Sequence, residues 1–311
     1  MIRIKFIDKI ADSFSKYSNV IKRIYVVLII AFVIYSIHSI FEQISFHKLS
    51  RASHLLSTGS LITLIILGAV SIIPMMIYDF TYTRKVKMNI SMPELITSSY
   101  VINTFTNIGG SGGLVGASLR IFLFGNVKED NKETAKIVTQ IALFTMTGLV
   151  INDIAAVIMN LDRFGAEKIW IKVVCLLFPL YLLVPLIAKN DTLNRRDLLH
   201  LLIGSTLEWV CCLGFFLSIG LFMHINFDFR AAYLGLVFAG IVGAMSLIPG
   251  GIGSFEVALT LGLNNAGIST DIVVIWALVY RICYYFIPFA LGMVMLIVKY
   301  FRRRSSSTLS N

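Results

Sequence analysis

Long apolar segments dominate this sequence and limit what it can fold into. A helix that crosses a bilayer needs about 20 predominantly apolar residues. Six segments meet that length: 24–41, 60–78, 137–160, 169–187, 200–224 and 272–299. Hydrophobic residues make up 57% of the 311 residues and charged residues only 14%, against roughly 25% charged residues in soluble domains. The sequence therefore predicts an all-α polytopic membrane protein. A soluble enzyme, a secreted disulfide scaffold, a nucleic-acid binder and a disordered tail are excluded.

Two further apolar stretches, 93–124 and 231–266, are each interrupted by a cluster of glycines. The piece after each cluster is about 12–15 residues, or around 20 Å of helix, which is shorter than the hydrocarbon layer. We therefore expect each stretch to form a broken, re-entrant helical hairpin. The residues that break the two hairpins are Gly109, Gly110, Gly112, Gly113 and Gly116 in the first, and Pro249, Gly250, Gly251 and Gly253 in the second.

The order of these segments predicts an internal repeat. Residues 24–160 and 161–300 each contain two spans, a broken hairpin and a further span, and three crossings per half place the halves in opposite orientation. Inverted repeats with broken helices are typical of membrane transporters; the alternative is that the halves share only hydropathy. An amphipathic segment, 1–23, precedes the repeats and a basic tail, 301–311, follows them.

The basic residues predict the orientation in the membrane. With the N-terminus inside, the cytoplasmic segments contain 19 lysines and arginines, whereas the outer segments contain five: Lys48, Arg51, Arg163, Lys168 and Arg230. This asymmetry follows the positive-inside rule and places both termini in the cytoplasm. Most of the net charge of +10 is thus explained by topology and by contact with anionic lipids, without nucleic acid.

No pattern for covalent catalysis, a cofactor or a metal is visible. The five histidines are scattered, and the four cysteines lie inside apolar segments, where we interpret them as reduced packing residues: Cys175, Cys211, Cys212 and Cys283. Neither glycine cluster matches a phosphate-binding loop or a dinucleotide fingerprint, because no strand precedes it and no Lys-Ser/Thr follows it. We expect no catalytic residue, no cofactor and no metal.

Ionisable residues at membrane depth are costly, so each is a candidate for function. They are Asp79, Arg120, Asp153, Glu208, Glu256 and Arg281. Each also has a structural explanation: Asp79 and Asp153 could lie at an interface, Glu256 could complement the dipole of the half-helix it opens, and the two arginines could form ion pairs with the acids. The glycine clusters likewise permit either close helix packing or an anion site at the N-terminus of a half-helix.

Five motifs give the chain a resemblance to a known family. They are YDFTYTRKVKM (78–88), IGGSGGLVGASLR (108–120), LEW (207–209), SLIPGGIGSFE (246–256) and YRICYYFIP (280–288). The chain resembles the transmembrane flippase domain of the multiple peptide resistance factor, or lysylphosphatidylglycerol synthase/flippase, over about residues 24–300. The resemblance implies that it carries aminoacylated phosphatidylglycerol from the inner to the outer leaflet of the bacterial cytoplasmic membrane, which gives resistance to cationic antimicrobial peptides.

Matching these motifs places the functional charges of the family on a set of five residues: Asp79, Arg120, Glu208, Glu256 and Arg281. Glu256 stands where a well-known member has aspartate, and Asp153 has no counterpart. We expect the arginines to neutralise the lipid phosphate and the acids to hold the ammonium groups of a lysyl or similar headgroup. The expected partner is an aminoacyl-phosphatidylglycerol or another anionic or zwitterionic phospholipid.

Full-length synthases of this family continue into further spans and a soluble aminoacyl-transferase domain, whereas this sequence ends at RRRSSSTLSN. It resembles the flippase half alone, as a stand-alone protein with a separate synthase or as a fragment, and we expect a natural cytoplasmic terminus. Two other functions remain open: a membrane subunit of a phosphatidylglycerol lysyltransferase, and a transporter of another phospholipid or polyprenyl-linked lipid. A homodimer is compatible with the resemblance.

Overall fold

A computed structural model describes residues 55–109, 114–124, 131–162, 164–166, 168–187, 192–246 and 248–308. The described residues form helices and their connections and contain no strand, which confirms the all-α prediction for this part of the chain. Several predicted features lie outside the described residues: the segment 1–23, the span 24–41, the breaks at Gly110, Gly112 and Gly113, and the end of the tail, 309–311.

Five helical segments are long and apolar enough to cross a membrane: Thr58–Lys85, Glu133–Met159, Ile169–Ile187, Arg195–Phe222 and Thr270–Lys299. They correspond to the five predicted spans that lie within the described residues. Their ends differ by several residues where polar side chains continue the helix. The span predicted at 60–78 continues to Lys85, because Asp79, Thr81 and Thr83 are buried inside the protein instead of ending the helix at an interface.

These segments consist of individual helices joined by short 3-10 turns or kinks. The helices before the middle of the chain are α1 (Thr58–Val70), α2 (Met76–Lys85), α3 (Met92–Gly109), α4 (Leu114–Leu123), α5 (Asn131–Phe144) and α6 (Thr147–Met159). The helices after it are α7 (Ile169–Leu177), α8 (Leu183–Ile187), α9 (Arg195–Phe222), α10 (Phe229–Met245), α11 (Ser254–Asn265), α12 (Thr270–Tyr280) and α13 (Ile287–Thr308). Pro74 lies in the 3-10 turn between α1 and α2, where its missing N–H interrupts the helical ladder.

Large apolar side chains point both inward and outward, as expected for a protein whose solvent is lipid. Trp276, Tyr78 and Phe216 are fully buried. On the outside, Trp170 is 70% exposed and Ile187 is 82% exposed. A water-soluble protein rarely exposes a continuous apolar surface of this kind, so the surface supports a bilayer environment.

The first predicted hairpin is an antiparallel pair, α3 and α4. Helix α3 ends at Gly109, which packs against Val115 of α4, and Gly116 packs against Thr106. A Cβ atom at Gly116 would lie 2.5 Å from the hydroxyl oxygen of Thr106. At both glycines of this pair the close contact is therefore with a side chain.

The second predicted hairpin, α10 and α11, packs backbone against backbone. A Cβ atom at Gly262 would lie 2.6 Å from the backbone of Gly235, and small residues of this kind allow membrane helices to approach closely. The turn between the helices contains Gly250, Gly251 and Gly253, with φ angles of 58°, 62° and 85°. Glycine adopts this region without the steric cost that a Cβ atom brings.

The last span contains a π-helical turn, Arg281–Phe286, between α12 and α13. Such turns carry one extra residue and shift the side chains that follow. Helix α1 packs directly against this turn, since a Cβ atom at Gly68 would lie 2.2 Å from the carbonyl oxygen of Cys283. The turn orients Arg281, Tyr284 and Tyr285 at the centre of the protein.

Candidate functional site

Asp79 and Arg120 form a buried ion pair between α2 and α4. Arg120 Nε donates to Asp79 Oδ1 at 2.7 Å, and the amide of Asn103 on α3 donates to Asp79 Oδ2 at 2.8 Å. The side chain of Asp79 is 0% exposed and that of Arg120 is 4% exposed. Both carboxylate oxygens are thus satisfied by the protein, and the charge pair is closed to water.

Glu256 and Arg281 form a second ion pair, between α11 and the π-helical turn. Arg281 Nη2 and Nε donate to Glu256 Oε1 at 2.5 Å and 2.8 Å, and Arg281 Nη1 donates to the carbonyl oxygen of Gly250 at 2.6 Å. The guanidinium lies 4.9 Å from the ring centroid of Tyr285 and 5.5 Å from that of Phe255. The side chain of Glu256 is 25% exposed, so this pair is more open than the first.

Glu208 lies near the middle of α9 and has a neutral partner. The hydroxyl of Tyr78 on α2 donates a short hydrogen bond to Glu208 Oε2. Within the described residues Glu208 makes no ion pair, although it is only 9% exposed. The nearby Arg120 interacts with Glu208 electrostatically but is paired with Asp79. A buried carboxylate without a directly contacting cation is costly, which makes Glu208 a candidate for binding a further cation.

A cavity of about 170 Å³ opens beside Glu208. Its lining comes from both predicted hairpins, through Asn107 at the end of α3 and Gly250 in the turn after α10, and from the last span, through Tyr284. Trp209, which follows Glu208, also lines it. The cavity therefore lies between the two halves of the chain, next to one of the five candidate charges.

The five candidate charges are arranged differently from what we expected for a site that binds the lipid phosphate and ammonium groups directly. Each arginine is ion-paired with an acid, which is the structural alternative left open for Arg120 and Arg281. Asp79 is fully buried inside the protein, and Glu256 both pairs with Arg281 and accepts a hydrogen bond from the N–H of Gly253 at 2.8 Å. Asp153 is also fully buried and does not line the cavity.

The backbone of the second glycine cluster is largely occupied by the protein itself. The N–H of Gly253 donates to Glu256 and the N–H of Gly251 donates to the carbonyl oxygen of Ile248 at 2.8 Å. These glycines make the turn and bring helices together, which favours the packing explanation over an anion site at this turn.

Several residues of the site escaped the sequence interpretation because they carry no charge. Tyr78 is next to Asp79 in sequence but binds Glu208 instead. Asn103 completes the first ion pair, and Asn107 lines the cavity. The spacing of four residues between the two asparagines places them on one face of a helix, and two amides on one face of a helix at membrane depth are a signal that could have identified them.

Comparison with known proteins agrees with these features. The profile described as "Lysylphosphatidylglycerol synthase TM region" matches residues 12–292. The chain therefore belongs to the family of lysylphosphatidylglycerol synthase transmembrane regions, and it is a multi-pass membrane protein.

Relatives of the chain carry the name phosphatidylglycerol lysyltransferase, and two of them represent two species. The protein from Staphylococcus aureus strain MRSA252 is 26% identical over 287 residues, covering 90% of this chain and 34% of the relative. The protein from Bacillus subtilis strain 168 is 28% identical over 289 residues, covering 88% of this chain and 34% of the relative. The chain thus spans about a third of the length of these relatives.

Proposed function

We propose that this protein is a lipid flippase that moves aminoacylated phosphatidylglycerol, such as lysyl-phosphatidylglycerol, from the inner to the outer leaflet. The observation that carries the proposal is the carboxylate of Glu208, which is buried without a described ion-pair partner and faces a cavity between the two halves of the chain. An ammonium group of the headgroup supplies the missing positive charge. Exposure of such cationic lipids on the outer leaflet would repel cationic antimicrobial peptides.

The two ion pairs have different roles in this proposal. Arg120 is sealed by Asp79 and Asn103 and holds α2, α3 and α4 together. Arg281 is paired with the partly exposed Glu256, and it lies behind two rings that line the cavity. Arg281 is thus the arginine nearer to the cavity, and the phosphate and the acyl chains of the lipid remain outside the cavity.

Contacts between connecting segments agree with the proposed grouping of these segments on the two sides of the membrane, and the distribution of lysine and arginine favours cytoplasmic termini. Arg84 Nη2 contacts Asp197 Oδ1 at 2.6 Å, and both residues belong to segments predicted to be cytoplasmic. Lys299 Nζ lies 3.1 Å from Glu94 Oε1, which joins the last span to the predicted cytoplasmic entry of the first hairpin.

An ion pair also joins two segments that are predicted to lie on the outer side of the membrane. Arg230 contacts Asp162 at 3.1 Å, and both residues lie in segments predicted to be outside. Each of these ion pairs joins segments that are assigned to the same side of the membrane.

A second candidate function is supported by the names of the relatives, which are lysyltransferases about three times as long as this chain. In that case the chain would be a membrane subunit needed for synthesis of the aminoacyl lipid, working with a separate synthase. A transporter of another phospholipid or of a polyprenyl-linked lipid is the third candidate.

One comparison of cells with and without the protein separates these functions. It scores the total aminoacyl-phosphatidylglycerol and the fraction that an impermeant amine reagent reaches from outside. A constant total with a smaller accessible fraction is the expected result for a flippase. Loss of the total supports the synthase subunit, and no change in either quantity would point to a different lipid.

A further inference from the structure

We propose that the cavity beside Glu208 is an aromatic cage for an ammonium group, so that the headgroup enters it by its cationic end and leaves its phosphate outside. This inference rests on the proposed function, because it takes the transported lipid to carry an amine. The inference assigns headgroup selection to aromatic residues, which are not among the five candidate charges.

Aromatic rings form much of the wall of this cavity. The lining includes Trp209, Phe216, Phe255, Tyr280, Tyr284 and Tyr285. The ring centroids of Tyr280 and Tyr284 are 5.2 Å apart with an interplanar angle of 12°, and Tyr285 meets Tyr284 edge-on at 5.2 Å. Because these rings pack on one another, they hold their orientation without a ligand, which lowers the entropic cost of binding.

The charge of the lining favours a cation. Among the described residues that line the cavity, Glu208 is the one side chain with a formal charge, and there is neither lysine nor arginine. A phosphate that entered would face a carboxylate in a medium of low dielectric constant, where like charges repel strongly. An ammonium would meet the carboxylate and the negative faces of the rings together, and aromatic cages of this composition bind ammonium groups in other proteins.

The protein itself already uses two of these rings to bind a cation. The guanidinium of Arg281 lies over Tyr285 and Phe255, and its charge is neutralised by Glu256 at 2.5 Å. The arginine is not part of the described cavity lining. A neutralised arginine behind the rings leaves the cavity open to a second cation near Glu208.

The side-chain amide of Asn107 needs a hydrogen-bond acceptor, which an oxygen atom of the ligand could provide. Its Nδ2 atom is buried and donates no hydrogen bond within the described structure, and the residue lines the cavity. An unpaired buried donor is costly, and the carbonyl of an aminoacyl ester would satisfy it while the amine reaches Glu208. The cavity therefore fits an amino-acid ester better than an amine alone.

The test measures binding of lysine methyl ester to the purified full chain in phosphatidylglycerol nanodiscs, by titration calorimetry. This lipid has no amine that competes for the site. Lysine methyl ester acetylated on both amines should not bind. Tetramethylammonium, which cannot donate a hydrogen bond, should bind within about threefold of methylammonium, because a ring face attracts the charge itself. Rejection of tetramethylammonium would overturn the aromatic cage without any variant being needed.

Variants of Tyr284 then separate the ring from the hydroxyl. Tyr284→Leu should weaken the binding of lysine methyl ester by about fivefold or more, whereas Tyr284→Phe should restore it to within about twofold, because the ring face is kept. Phe178→Leu, which alters a buried aromatic residue away from the cavity, should leave binding unchanged. Equal binding by the Leu and Phe variants would overturn the inference.

Leaflet transfer of lysyl-phosphatidylglycerol, measured on the same samples, distinguishes the two proposals. Binding that depends on the ring, without any transfer by the unmodified protein, would leave the cage intact and contradict the flippase function. Normal transfer by Tyr284→Leu, once folding is verified by gel filtration, would contradict the cage and leave the flippase function intact.

Discussion

Two ion pairs of the described structure, Asp79–Arg120 and Glu256–Arg281, have the same chemistry but different surroundings. Asp79 and Arg120 are closed on every side, with exposed side-chain fractions of 0% and 4%. Glu256 is 25% exposed, and Arg281 lies behind rings that line the cavity. A sealed pair is suited to holding helices together, whereas a pair beside a cavity can respond to a ligand. The positions of charges in a sequence therefore do not reveal which of them bind substrate.

The largest effect should follow from breaking the sealed pair. Asp79→Asn leaves the guanidinium of Arg120 buried without a counter-charge, so we expect the free energy of unfolding to fall by about 3–5 kcal/mol. The measurement is the unfolding of the purified protein in detergent. An unchanged stability would show that water reaches the pair.

A double variant provides the control for that result. Asp79→Asn combined with Arg120→Gln removes both charges and keeps polar groups that can hydrogen-bond, so it should recover part of the lost stability. If the double variant lost the sum of the two single effects, the pair would not be coupled and the interpretation as a structural ion pair would be wrong.

The helix pairs α3/α4 and α10/α11 should also differ in how well they tolerate an added methyl group at a glycine. Gly262→Ala places a Cβ atom 2.6 Å from the backbone of Gly235, which cannot rotate away, and we expect a loss of about 1–3 kcal/mol. Gly116→Ala meets the side chains of Thr106 at 2.5 Å and Arg120 at 3.0 Å, which can shift more easily than backbone, and should cost less. Gly214→Ala is the matched control, since a Cβ atom there has no neighbour within 4 Å. Equal losses of unfolding free energy in Gly262→Ala and Gly116→Ala would show that the two helix pairs do not differ in this respect.

The smallest loss of stability should come from the open ion pair. Glu256→Gln keeps an acceptor for Arg281, and the carbonyl of Gly250 and two rings still contact the guanidinium. Arg281 is almost as buried as Arg120, with 5% and 4% of the side chain exposed. The remaining contacts of the guanidinium and the partial exposure of Glu256 nevertheless lead us to expect a cost of about 1–2 kcal/mol, below that of Asp79→Asn in the same assay. A larger cost than at Asp79 would reverse the comparison of the two pairs.

The sequence predicts the apolar spans well because hydropathy is a local property. Residues 169–187 form one such segment, Ile169–Ile187. The ends are less predictable: the span expected at 200–224 begins at Arg195, because Asn194 and Asp197 form a capping box within a polar stretch. Hydropathy shows where the apolar run begins, but it does not show at which polar residue the helix begins.

The pairing of charges could not be predicted in the same way. Asp79 and Arg120 are 41 residues apart, and Arg281, the first residue of the π-helical turn, is 25 residues from Glu256. That turn packs against Gly68 of a distant helix, so it depends on tertiary contacts and not on the letters RICYYF alone. Hydropathy and the energetic cost of a charge inside the membrane identify the candidate residues. Only the tertiary packing shows that Glu208, unlike the other four, has no described ion-pair partner.

The most direct test of the flippase account is the rate at which Glu208→Gln moves lysyl-phosphatidylglycerol across vesicles that contain the purified protein. The amide keeps the size of the side chain and can still accept from Tyr78, so stability should change little while the attraction for an ammonium is lost. We expect the transfer rate to fall at least about tenfold. Glu133→Gln, at an exposed acid on α5, should transfer lipid at the wild-type rate. A wild-type rate for Glu208→Gln would contradict the account.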